Sequence, residues 1–138
     1  MTATAMSLGH DVAEVVTLRF GTLAVPTDEL LHFPAGLPGF ETALDFVLLP
    51  VRPGLAWLQS AEIPALAFLL VEPVRVNPEA WADDSSAWAV VTFGRTPADA
   101  TANLMAPIRI DASSRTAEQV IAASSGFTTA EPFDLARI

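Results

Sequence analysis

The side chains here that could move protons or hold a metal ion are sixteen carboxylates and two histidines, His10 and His32. Two imidazoles cannot make a three-histidine zinc centre, and the absence of cysteine removes thiolate ligands, thiolate nucleophiles and disulfides. The adjacent pair Asp83 and Asp84 runs into Ser85 and Ser86 without a glycine-anchored ligand series, so it reads as a solvated loop rather than a calcium site. No Gly-x-Ser-x-Gly elbow occurs, and His32 would have to serve any serine nucleophile alone. All seven basic residues are arginine, which excludes Schiff-base lysines and a phosphate-loop lysine. Carbohydrate hydrolysis needs two carboxylates converging on a cleft, and an aromatic content of 8% does not favour a sugar platform. The expectation is a protein without catalysis, cofactor or metal.

Charge points toward protein partners instead. The net charge is −9, spread over both halves of the chain: three arginines against eight acids in residues 1–75, four against eight beyond. Such a field repels phosphate backbones and anionic lipid, so direct nucleic-acid or membrane binding is not expected. The arginines are scattered and are not interleaved with aromatics as a nucleic-acid surface requires. From Phe20 to Val51 there are four acids, Asp28, Glu29, Glu41 and Asp45, and no lysine or arginine. Phe40 lies in the same stretch. An apolar anchor beside acids suits a basic protein partner; the alternative is that Phe40 packs inward and the acids only solubilise the rim. Asn103 in TANLMAPI (residues 101–108) is a second candidate, read first as a tie within its own loop and second as a ligand contact.

The elements that would position these residues are short. Eleven prolines and seven glycines divide the 138 residues into pieces too short for long helices and rich in Val, Leu, Ile, Phe and Thr. Residues 15–20 and 23–25 read as strands around Gly21 and Thr22. Residues 30–33 form a third, with Leu31 and Phe33 on one face and His32 on the other. FPAGLPGF (33–40) is a rigid connection, followed by one helical turn at 41–44 and a strand at 46–49 stopped by Pro50. Strands are expected at 55–59 and 67–71, an edge strand at 74–76, and a strong strand at 88–93. Thr96, Pro97 and Asp99 have the order of a helix start, and residues 107–110 and 119–122 form a hairpin. About nine short strands at this spacing indicate an all-β, antiparallel barrel-like single domain with one or two helical turns over residues 14–138. Residues 1–13 read as a flexible extension without a signal-peptide pattern, which makes the cytoplasm the default location.

Several of these segments together resemble the flagellar assembly factor FliW family. The carriers are Arg19-Phe-Gly21, FPAGLPGF, Trp57-Leu-Gln-Ser60 with Ala67-Phe68, TANLMAPI and Gln119-Val120, in the family's order and over roughly residues 16–133. Leu55-Ala56, Ala117-Glu118 and Phe127 depart from residues common in that family. The resemblance implies a β-barrel-like domain that binds flagellin and CsrA, a small RNA-binding translational repressor, and switches between them. Retained flagellin would occupy the factor and release CsrA to block flagellin translation; export of flagellin would free the factor to antagonise CsrA. Asp28, Glu29, Glu41 and Asp45 would then contribute to the surface that meets the basic repressor, with Phe40 and Asn103 as further contacts. Composition alone leaves a second reading, an acidic β-barrel module for a small molecule or carbohydrate.

Overall fold

Segments broken by proline and glycine cannot satisfy their backbone groups internally as long helices do, so they pair laterally. The computed structural model describes residues 11–138 and contains eleven strands among them. β1 (Val12–Val16) and β2 (Thr22–Pro26) make a separate antiparallel hairpin in which Val15 faces Leu23. The others are β3 (Leu31–His32), β4 (Asp45–Arg52), β5 (Leu55–Ser60), β6 (Ala67–Val71), β7 (Ala87–Thr92), β8 (Ala100–Ala102), β9 (Ile108–Asp111), β10 (Thr116–Gln119) and β11 (Glu131–Phe133). They form one sheet in the order β9-β10-β3-β4-β5-β6-β7-β8-β11, and β9 also pairs with β7, closing seven strands into a barrel.

Closure depends on two junctions. β7 divides one edge between two neighbours: Trp88 pairs with Ile108 of β9, whereas Val91 pairs with Ala102 of β8, which carries β11 beyond the barrel. The other junction is the parallel bridge between Thr116 of β10 and His32 of β3, where the His32 N–H donates to the Arg115 carbonyl at 2.9 Å. All remaining pairings are antiparallel.

Alternation along the strands fills the interior with Leu31, Phe33, Phe46, Leu58, Leu70 and Ile108, all fully buried. The outer face is also covered. Leu69, Val71, Val91 and Phe133 belong to a second cluster, and Val47 packs with Val15 and Val25 beneath the β1–β2 hairpin. Burial on both faces explains why β6 reads as an uninterrupted apolar run rather than an alternating one.

The local departures have local causes. Residues 41–44 form no helix; Ala43 N–H closes a turn onto the Phe40 carbonyl, and the chain then enters β4. Pro50 does not stop β4, which has a ladder partner on only one side there, and an unpaired strand edge tolerates a missing N–H. The expected edge strand at 74–76 is instead a 3-10 turn, Pro73–Arg75, started by a proline whose fixed φ suits a first helical position. Thr96 precedes the 3-10 turn Pro97–Asp99, but its hydroxyl bonds the Asp99 carboxylate rather than a backbone N–H. β10 begins three residues before the expected strand. The reason is that Asp111 Oδ1 accepts from the Ser113 and Ser114 amides, tightening the turn so that Arg115 takes φ +57°. The Ser113 hydroxyl, followed by the Ser114 amide, holds the Asp111 carboxyl below its ordinary value. β8 and β11 have no signature in the sequence, because three residues each leave no period to detect. Of the expected extension, residues 1–10 lie outside the described residues, while Val12 and Ala13 are already paired in β1.

Phe46 sits within the barrel against Phe33, with ring centroids 5.0 Å apart. Phe46→Ala is expected to destabilise the fold by about 3–5 kcal/mol, read as a lower urea midpoint with an unchanged denaturant slope.

Candidate partner-binding surface

The rigid connection after β3 is shaped by its glycines. Gly36 has φ +66°, and a Cβ there would stand 2.7 Å from the Glu41 Cα, so the backbone crossing admits no side chain. This crossing brings Leu37 opposite Phe40 in an isolated bridge and buries Leu37. Gly39, at φ +85°, turns its N–H to Glu41 Oε2 at 2.9 Å. That hydrogen bond, reinforced by the backbone N–H of Glu41 itself, holds the Glu41 carboxyl below the usual glutamate range.

Phe40 is neither fully buried nor free. It is 40% exposed and meets Phe68 edge to face with centroids 5.6 Å apart; Phe68 in turn lies 6.4 Å from Phe46. A line of aromatic contacts thus runs from the barrel interior through Phe46 and Phe68 to a surface ring.

Asn103 approaches the same region from the other side. Its N–H donates to the Val90 carbonyl and its Oδ1 accepts from the Ala106 N–H at 2.9 Å. Gln119 Nε2 holds the Ala106 carbonyl at 2.9 Å and Trp81 Nε1 the Leu104 carbonyl at 2.8 Å, so side chains clamp the whole loop. Between this loop and the glycine-rich connection lies a groove of about 210 Å³, bordered by Leu37, Pro38, Phe68, Asn103 and Gln119. The two segments singled out in the sequence therefore face each other across one groove, and Asn103 shapes its wall through a loop tie.

The acids divide into groups. Asp28 and Glu29 are exposed on the 3-10 turn Thr27–Glu29, whose Glu29 carbonyl accepts from the Arg115 guanidinium at 2.5 Å. Asp45 lies on β4 with Oδ1 2.8 Å from His32 Nδ1. Since the His32 amide bonds Arg115, the closure seam links the Asp28–Glu29 turn to Asp45. Glu41 stands apart on the Phe40 turn. Sequence reading missed Glu62, whose Oε1 accepts from the Leu44 and Asp45 amides at 2.6 and 3.2 Å, adding a carboxylate beside Asp45. Phe68, legible only as a carrier of the family resemblance, proves to be the ring under Phe40. Neither contact had a local signal, since both come into place through the β5–β6 connection and the β5–β6 pairing. Asp84, expected in a solvated loop, accepts from Ser86 and pairs with Arg109 at 2.9 Å. The Ser86 hydroxyl is the first cause of its lowered carboxyl value.

No described hydroxyl hydrogen-bonds His32, and among the described residues no three metal-ligating side chains cluster. No described helix is long and apolar enough to cross a membrane. What the region presents is carboxylates, a half-exposed aromatic and a shallow groove, an arrangement suited to noncovalent recognition of a protein surface.

The chain is similar to known proteins in sequence and in fold. A family model described as FliW protein matches residues 14–133. The flagellar assembly factor FliW of Moorella thermoacetica is 37% identical over 134 residues, covering 84% of this chain and 85% of that protein. That of Heliobacterium modesticaldum is 36% identical over 132 residues, covering 83% and 86%. A crystal structure of the flagellar assembly factor FliW superposes with a TM-score of 0.77 at 28% identity, covering 87% of this chain and 96% of that one.

The Gly39–Glu41 hydrogen bond makes the turn sensitive to acid. Because the carboxyl is lowered in the folded state, the contribution of charged Glu41 is complete above the ordinary glutamate range and disappears as pH falls through the lowered value. The Gly39 amide proton should shift in step with Glu41 titration by NMR, at a midpoint below that of a free glutamate. In Glu41→Gln this titration should vanish.

Proposed function

The chain belongs to the FliW family of flagellar assembly factors, and on that premise we propose that it binds flagellin and antagonises CsrA by exchanging one partner for the other. It acts without catalysis, in the cytoplasm where flagellin is translated. Flagellin awaiting export occupies the factor and leaves CsrA free to repress flagellin translation. Export empties the factor, which then binds CsrA and lifts the repression. Exchange of this kind requires overlapping sites or two conformations of differing affinity.

The observation that carries the CsrA half of this reading is the acidic region around the closure seam. Among the described residues, Asp28, Glu29, Asp45 and Glu62 meet no arginine side chain through their carboxylates. A repressor that binds RNA presents positive charge to phosphates, and an acidic surface both steers and orients such a partner. Phe40 and Glu41 extend the contact toward the groove beside Asn103, where an apolar side chain would be accommodated.

Size-exclusion chromatography of the protein with the host's flagellin and CsrA, singly and together, tests the exchange. The expected result is a complex with each, and loss of the CsrA complex as flagellin is added. Binding to neither removes the reading; simultaneous binding of both keeps the partners and removes the exchange. Charge reversal at Asp28, Glu29, Glu41 and Asp45 together should weaken CsrA binding by about tenfold or more and flatten its salt dependence. An unchanged affinity and salt slope would remove the acidic surface from the contact.

A further inference from the structure

Trp57 lies on the outer side of β5, opposite Leu49 and Leu69. It occupies the gap between the cluster under the β1–β2 hairpin and the cluster around Leu69 and Val91. Neither cluster covers it completely. Phe20 from the hairpin turn and Phe93 from the end of β7 flank the indole, with centroids 6.0 and 6.2 Å away, and the Arg19 guanidinium rests 4.3 Å above the ring. Phe93 is 56% exposed, and Leu18 on the same turn is 77% exposed. Apolar surface concentrated in this way is a mark of an interaction site rather than of scattered exposure.

The arginines distinguish this patch from the rest of the molecule. Arg75, Arg109 and Arg137 pair with carboxylates, and Arg52 and Arg115 donate to backbone carbonyls. Among the described residues, Arg19 and Arg95 alone have no oxygen partner, although acids outnumber arginines sixteen to seven. Arg19 adjoins Phe20, and Arg95 follows Phe93 by two residues. Stacking on Trp57 occupies the face of the Arg19 guanidinium and leaves its in-plane N–H groups available to a carboxylate. Leu18 and Arg19 also border a groove of about 320 Å³ that reaches Gln59, whose buried Oε1 accepts no hydrogen bond among the described residues.

We propose that the Trp57 patch is a second docking surface, and that it takes an apolar segment of a partner protein carrying carboxylates. The apolar side chains lie against Phe93, Phe20 and Leu18, and the carboxylates meet Arg19 and Arg95. Its preference is opposite in sign to that of the acidic seam, so the protein offers chemically distinct sites for two classes of partner. The contrast with the acidic seam rests on the functional reading above, whereas binding at the Trp57 patch itself goes beyond that reading and is tested separately.

Fluorescence anisotropy with labelled synthetic peptides and the full chain tests the proposal. The probes are a leucine–glutamate peptide and a leucine–glutamine peptide of the same length. The glutamate peptide should bind about tenfold more tightly, despite the protein's net negative charge. Arg95→Glu alone should reduce that preference, and Arg19→Glu combined with it should abolish it. Phe93→Ser should weaken both peptides, and Arg19→Gln, which retains part of the stem, guards against misfolding of the reversal variant. Equal binding of the two peptides, or a preference unchanged by the arginine variants, overturns the proposal. Concentration-dependent dimerisation that Phe93→Ser removes would assign the patch to a second copy of the chain and overturn it as well.

Discussion

Closure of the sheet at the β3–β10 seam is the constraint on which the rest of the molecule turns. An open sheet would leave a row of unpaired N–H and C=O groups at each edge, and a barrel removes both. Here the final junction is narrow, a single parallel bridge from Thr116 to His32, so neighbouring groups carry it. Asp111 folds the preceding turn with its carboxylate, Arg115 takes a left-handed conformation, and its carbonyl receives the His32 amide. The guanidinium of Arg115 then reaches the Glu29 carbonyl, and the imidazole of His32 reaches Asp45. One structural solution therefore both closes the barrel and sets the acids around the seam.

The second junction decides what the outer face looks like. Because β7 gives part of an edge to β9 and part to β8, the sheet continues past the barrel and folds over the outside of β5, β6 and β7. The β1–β2 hairpin covers β4 from the other direction, with Leu18 N–H donating to the Pro64 carbonyl. Two covers arriving from opposite sides leave a gap, and Trp57 lies in it. The acidic seam and the arginine-flanked aromatic patch are thus consequences of how the barrel is closed and covered, rather than features of one segment.

Much of the barrel was legible because its signals are local. The alternation of Leu31, His32 and Phe33, the runs at β5, β6 and β7, and the positive-φ glycines of the 33–40 connection each follow from nearby residues. Pro73 turns the chain through its own fixed φ, whereas Pro50 misleads for a reason that lies outside its segment. Proline forbids an N–H bond, but whether that matters depends on a neighbour that lies elsewhere in the chain. The candidate surface was half legible: Phe40, Glu41, Asp45 and Asn103 could be named, but the convergence of two of their segments on one groove could not. Glu62 carried no signal, and Phe68, Trp57, Arg19 and Phe20 stood out only as carriers of the family resemblance, since their mutual contacts depend on how distant segments are brought together.

By itself the sequence determined the chemistry that is available. It contains no thiol and no lysine, it carries an excess of carboxylates in both halves, and it breaks into short apolar segments that must pair side by side. It also determined which turns could be tight, because Gly36 and Gly39 adopt backbone conformations that strain other residues. Tertiary structure decided which of two similar rings is core and which is surface, with Phe33 wholly buried and Phe40 40% exposed. It decided, too, which acids share a face and which arginines find a carboxylate or carbonyl. The physical reason is that strand pairing and burial are set by partners distant in sequence, and closing the barrel fixes all of those partners at once.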